Sequence, residues 1–224
     1  TMSEILETYM LFGPPTDVEE MVQLYQAFRR IVGLETDVEP AIVEQSLLAD
    51  RDVSVFSHYG SIQPTLNLTR HPSGLPDVPC VSLQFESLTF DARLYGQSTV
   101  ATHLADLYDL ITTMYTTAVD AECEPLYVLG ADPTQTDQIR TNHRFIETST
   151  DGILSGTLET LYWLQIFPPA FADAIDREIL TTAPAHRVET LADGAILLVA
   201  YENPLHRDES YLNGMDHFGL EFPT

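Results

Sequence analysis

The order of elements along the chain predicts an α+β fold, a mostly antiparallel sheet with its helices on one face. Three observations predict it. Strand, helix, strands, helix, strand, helix and strands follow one another irregularly, which suits antiparallel pairing better than a regular βαβ alternation. Strand-like segments are joined by turn signals, at Gly60 and at Ala192-Asp193-Gly194. No stretch of the 224 residues is long and flexible enough to be a linker, so the chain reads as one domain over 1–224. Its two cycles, 1–120 and 121–224, are candidate related halves, and no short-period repeat is present.

The elements follow in order. Residues 5–12 (ILETYMLF) form an opening strand stopped by Gly13-Pro14-Pro15. Thr16 with Glu19 makes a capping box. Val18, Met21, Val22, Tyr25, Phe28 and Val32 then recur at helical spacing up to Gly33. A weaker helix after Pro40 carries Ile42, Val43 and Leu47 on one face. Residues 53–59 and 65–69 suit a strand pair around Gly60, and 71–79, with three prolines and a glycine, is a loop. Val81, Leu83 and Phe85 alternate, then Leu88, Phe90, Ala92 and Leu94 alternate on the other parity. A switch at Ser87 predicts a bulge in one long strand or a tight hairpin.

Ser98 or Thr99 caps the longest helix, which buries Val100, Leu104, Leu107, Ile111, Met114, Tyr115 and Ala118. A second cycle begins with a strand at 125–130, polar helical turns near 134–145 and an apolar strand-like run at 160–167. Pro168-Pro169 opens a short helix ending near Leu180, strands at 187–191 and 195–201 follow, and 203–224 is loop-rich.

Charge sets the environment before it says anything about function. The chain has 34 Asp+Glu against 10 Lys+Arg, a formal charge of −24, and all ten cations are arginine. Seventeen acidic residues fall up to Asp120 and seventeen after it, so the charge is spread over the whole chain. An even acidic coat without lysine resembles proteins of salt-in halophiles, where carboxylates hold water and cations. At molar salt the Debye length is about 3 Å, so −24 is no guide to a cationic partner. The acidity excludes a sequence-independent nucleic-acid binder, which needs a basic face. No basic segment followed by an apolar stretch opens the chain, and the longest apolar run, Ala195 to Ala200, is too short to cross a bilayer. The chain therefore reads as soluble and cytoplasmic, not membrane-bound. Cys80 and Cys123, without a CxxC, read as free thiols.

The search for chemistry assigns no catalytic residue, cofactor or metal. GxxxxGK[ST], GxGxxG and GxSxG are all absent, and without lysine there is no P-loop or Schiff-base chemistry. Gly152-Ile-Leu-Ser155-Gly156 has the wrong spacing for a nucleophile elbow and reads as a turn. The histidines, His58, His71, His103, His143, His186, His206 and His217, form no compact ligand pair. His103 and Asp106 share a helix, and Asp91 with Arg93 reads as an ion pair on a strand. His206-Arg207-Asp208-Glu209, followed by Asp216-His217, is the densest polar cluster. Tyr162-Trp163 and Phe167 to Phe171 form an aromatic block, read as core before binding platform.

One resemblance is carried by the C-terminal third. Tyr162-Trp163-Leu164-Gln165, a helix through Ile175 and Leu180, Val188 to Leu191, the turn at Gly194 and the apolar run to Leu198 before Pro204 are similar to the immunity protein 52 family. The opening strand closing on Phe12-Gly13-Pro14 before an amphipathic helix is similar too, whereas Gln165 stands where Asn is commoner. The resemblance covers a quarter to a third of the chain. It implies an α+β cytoplasmic protein that protects its producer by binding a cognate protein toxin, without catalysis. Trp163, His206, Arg207, Asp208 and Tyr211 are the candidate partner contacts. Two alternatives stand beside it: a metal-assisted hydrolase drawing on His58, His71, His206 and carboxylates, and a structural or assembly subunit.

Overall fold

The computed structural model describes residues 5–13, 17–72, 78–142 and 150–221. Nine strands among them form one antiparallel sheet. They are β1 (Ile5–Phe12), β2 (Leu34–Thr36), β3 (Val53–Tyr59), β4 (Thr65–Thr69), β5 (Cys80–Glu86), β6 (Pro125–Ala131), β7 (Leu164–Phe167), β8 (Arg187–Thr190) and β9 (Ile196–Val199). The order across the sheet is β2-β3-β4-β5-β1-β6-β7-β9-β8, so the opening strand lies at the centre and joins the two halves of the chain. Its apolar residues occupy both parities, as a strand covered on both faces requires.

The α+β class holds, and the helices divide by chain position. Those formed by residues 18–120 are α1 (Val18–Phe28), α2 (Pro40–Leu48), α3 (Ala92–Tyr95) and α4 (Gln97–Asp120). The later ones are α5 (Pro133–Asn142), α6 (Thr150–Leu154), α7 (Pro169–Ile175), α8 (Arg177–Thr181) and α9 (Glu209–His217). Register separates the two sets. In one row across the sheet Thr8 pairs with Gly130, Gly130 with Leu164, Leu164 with Val199 and Val199 with Arg187. Arg187 lies over Tyr108 of α4, so α4 covers that face. Glu7, of the opposite parity, is paired with Arg140 of α5, and Phe167 and Tyr127, of the same parity as Glu7, pack against Phe171 of α7. The helices therefore do not all lie on one face: α4 covers one, and α5 and α7 lie on the other.

Several local expectations change. Thr16 lies outside the described residues, and Asp17 caps α1, accepting the Glu20 N–H at 2.8 Å. The helix stops at Phe28, leaving Val32 93% exposed. Gly96 (φ +81°) precedes α4, so Ser98 and Thr99 lie inside its first turn. The parity switch at Ser87 is neither a bulge nor a hairpin: a 3-10 turn over 87–90 leads into α3. A helical turn buries Ser87 and Phe90, three apart, and throws Leu88 and Leu94 outward. The helix after Pro168 breaks at Asp176 (φ 116°), whose carboxylate caps α8 at the Glu178 N–H. The supposedly loop-rich end holds α9, capped by Asp208.

Two glycines are required by close approach. At Gly130 a Cβ would come within 3.1–3.3 Å of Leu164, Thr8 and the Trp163 ring. At Gly60 (φ +54°) it would strike the Asp106 carboxylate, which accepts from both Ser61 N–H and Ser61 Oγ–H. That carboxylate and Asp109, which accepts from the Tyr59 hydroxyl, fasten the β3–β4 turn to α4. Cys80 and Cys123 are both free. No helix among the described residues is long and apolar enough to cross a membrane.

Candidate functional site

The five candidate contacts separate into an interior pair, a half-buried tie and two surface positions. Trp163 is fully buried; its indole N–H donates to the Tyr201 carbonyl at 3.0 Å and its ring packs near Tyr108 of α4. Tyr211 is buried against Tyr201. Neither offers a partner direct contact, because apolar rings in these positions close the core. Arg207 is held inward: its Nε–H donates to Asp132 Oδ2 at 2.6 Å while its guanidinium lies 4.5 Å above the Tyr211 ring. Burial works against the Arg207 charge, and the Asp132 carboxylate outweighs it, so the guanidinium stays charged. His206 and Asp208 lie on the surface with the backbone of Arg207, and Asp208 is already engaged as a helix cap.

Asp132 organises this cluster and escaped the sequence reading. Its Oδ2 also accepts the Tyr201 hydroxyl at 2.7 Å, and burial, then the carboxylate, pushes that phenol well up. Its Oδ1 accepts the Gln135 N–H, and the Asp132 N–H in turn donates to Gln135 Oε1. Asp132-Pro-Thr-Gln135 is thus a capping box at the start of α5, a signal legible in the sequence.

Two surfaces remain as candidate sites. The first is a corner formed by the 3-10 turn and α3. Leu88, Leu94 and Tyr95 are 44%, 60% and 51% exposed within eight residues of chain. Tyr95 leans edge-on against His103, whose Nδ1–H donates to the Thr89 carbonyl at 2.8 Å. The rim is charged: Arg93 forms an ion pair with Asp91 at 2.7 Å. Hydrogen bonds from the Arg93 side chain and backbone N–H hold the Asp91 carboxyl down at about 2. Asn203 Nδ2–H donates to the Phe90 carbonyl, which brings the 203–208 loop with His206 alongside the corner.

The second is a cleft of about 530 Å³ on the face of β3, β4, β5 and β1 opposite α4. One row across these strands reads Ser54, Asn67, Ser82, Tyr9; the next reads Phe56, Thr65, Gln84, Glu7. Ser54 Oγ–H donates to Asn67 Oδ1 at 2.7 Å, and Arg140 closes one wall by donating to Glu7 at 2.6–2.8 Å. Burial, then the Glu7 charge, raises the Tyr9 phenol far above its usual range and pushes the Cys80 thiol up to about 12. Both are therefore protonated at neutral pH and poor nucleophiles.

The histidines do not converge. His58 and His71 sit at opposite ends of the β3–β4 pair, His71 beside Asp50, and His206 lies at the corner. His217 bonds to the Ile179 carbonyl, and His143 lies outside the described residues. Among the described residues no group of three or more His, Cys, Asp or Glu is arranged to hold a metal ion. No protein-family model matches the chain, no curated protein matches its sequence and no solved structure matches its fold.

Proposed function

We propose that the chain is a non-enzymatic binding protein of the immunity type, which holds a cognate protein toxin at the corner formed by the 3-10 turn and α3. One observation carries this reading: three large side chains, Leu88, Leu94 and Tyr95, stand exposed within eight residues of chain that also carry the solvent-exposed Arg93. Singly exposed apolar residues need no explanation; a group of them on a rigid corner does. The Tyr9 phenol and the Cys80 thiol of the cleft are buried and protonated, which supports binding over nucleophilic chemistry by either. The test expresses genes beside this one singly in a sensitive host, with and without this protein. One neighbour should be toxic alone and harmless with it, and protection should fail in Leu88→Glu/Leu94→Glu while stability changes by no more than about 0.5 kcal/mol per site. Absence of any toxic neighbour, or full protection by the double variant, ends this reading.

The same proposal places the protein in a salt-in cytoplasm. Ten arginines stand against 34 carboxylates, and seven of them already face a carboxylate within 4.0 Å among the described residues, so most of the acidic coat has no protein counter-charge. Dialysis to roughly 0.1 M salt, where the Debye length is about 10 Å, should lengthen that repulsion and cost structure. An unchanged circular dichroism spectrum would remove the halophile.

A further inference from the structure

We propose that the cleft on the β3–β4–β5–β1 face is a binding site for a neutral, hydroxyl-rich small molecule of the mono- or disaccharide class. At about 530 Å³ it is in the size range of small-molecule sites. Its floor is not an ordinary solvated sheet face, because Glu7, Tyr9, Cys80 and Ser82 are buried beneath it while Arg140 and Ile139 of α5 wall it on one side. The cleft is concave, and its hydrogen-bonding groups are fixed by strand register rather than carried on loops.

The chemistry of the lining selects the ligand. Ser54, Asn67, Ser82 and Gln84 offer both donors and acceptors, the pattern a hydroxyl, itself donor and acceptor, satisfies best. Ser54, Asn67 and Ser82 already bond one another along their row, and an apolar occupant would take water from the donors and acceptors they have left, without replacing those bonds. A charged one would find no free counter-ion on the floor: Glu7 is neutralised by Arg140, and the Tyr9 phenol and Cys80 thiol are uncharged, leaving Asp52 at the exposed mouth. Ile139 and Pro72, both lining the cleft, give the apolar face of a sugar ring a surface to rest on. This site is independent of the corner and shares no residue with it.

Isothermal titration with glucose, N-acetylglucosamine, maltose, cellobiose and trehalose tests the proposal, with glucosamine and glucuronate as charged counterparts. Heat is the readout because sugars stabilise folded proteins non-specifically by exclusion. At least one neutral sugar should saturate at one site per chain. Ser54→Ala and Asn67→Ala, both on half-open positions, should each weaken it by roughly three- to tenfold. Leu88→Glu/Leu94→Glu should leave it untouched. No saturating heat from any neutral sugar, undiminished binding in both single variants, or tighter binding of a charged counterpart would each overturn the site.

Discussion

The two ends of the sheet are built to opposite rules. In β3 and β4 buried and open positions alternate, Val53, Val55, Leu66 and Leu68 facing the core and Ser54, Phe56 and Asn67 facing the cleft. In β7 and β9 every residue is buried, because α4 lies on one face and α7 on the other. The first pattern is that of an antiparallel sheet with one wet face, the second that of a strand in a sandwich of helices. The difference separates scaffold from working surface. Side chains that carry specificity can change on the wet face at little cost to folding, whereas on the covered strands each one is part of the packing.

The sharpest break of that comparison uses one aromatic from each region. Trp163→Ala empties a fully buried site under α4 and removes the bond to the Tyr201 carbonyl. It should cost about 3–5 kcal/mol in denaturant unfolding at fixed high salt. Phe56→Ala, on the wet face, should cost no more than about 0.5 kcal/mol. Comparable losses at both positions would mean that the cleft face is packed and that the contrast between the two ends is false.

A second pair of variants compares the two buried carboxylates, each answered by one arginine across the chain. Asp132 holds the Tyr201 hydroxyl and the start of α5 in the interior and Arg207 at its margin. Glu7 holds Arg140 at the edge of the cleft, where water reaches the pair. Removing the cation leaves the acid buried and unpaired, a loss of several kcal/mol when no solvent can replace it. Arg207→Met should therefore cost about 2–4 kcal/mol, reduced from the fully buried limit because its side chain is one-third exposed, and Arg140→Met about 1–2 kcal/mol. The reverse order would show that the cleft excludes water.

How much of this was legible follows from the same contrast. The alternation in 53–59 and 65–69 named both strands and their inner faces, because period two survives where one face is wet. The long helix was equally plain from Val100 to Ala118. At 87–94 the pattern misled: a 3-10 turn and one turn of helix mimic a strand of shifted parity over so few residues. Trp163 was legible as core from its aromatic block, whereas Tyr211 was legible as aromatic but not as interior, since 203–224 read as loop and hid the helix that turns it onto Tyr201. Neither surface was legible as a site. The corner needed the 203–208 loop beside it, and the cleft needed strands 54, 67, 82 and 9 brought into one row.

The smallest effect belongs to the corner, where the buried Asp91 is paired with an arginine that stands in solvent. Arg93 holds the folded-state Asp91 carboxyl at about 2, below its unfolded range near 4. A depressed carboxyl contributes stability that is present above the unfolded value and lost as pH falls through the folded one, so the window is about pH 4 to pH 2. Arg93→Gln removes the side-chain bonds but keeps the backbone N–H that Asp91 also caps, and should move the acid-unfolding midpoint slightly upward. Because Arg93 is almost wholly in solvent, the Coulombic part of that shift should fade at about 1 M salt, where the Debye length is about 3 Å. The hydrogen-bonded part should persist there. A midpoint unmoved at every salt concentration would mean that the rim charges are free to meet a partner and owe nothing to the fold.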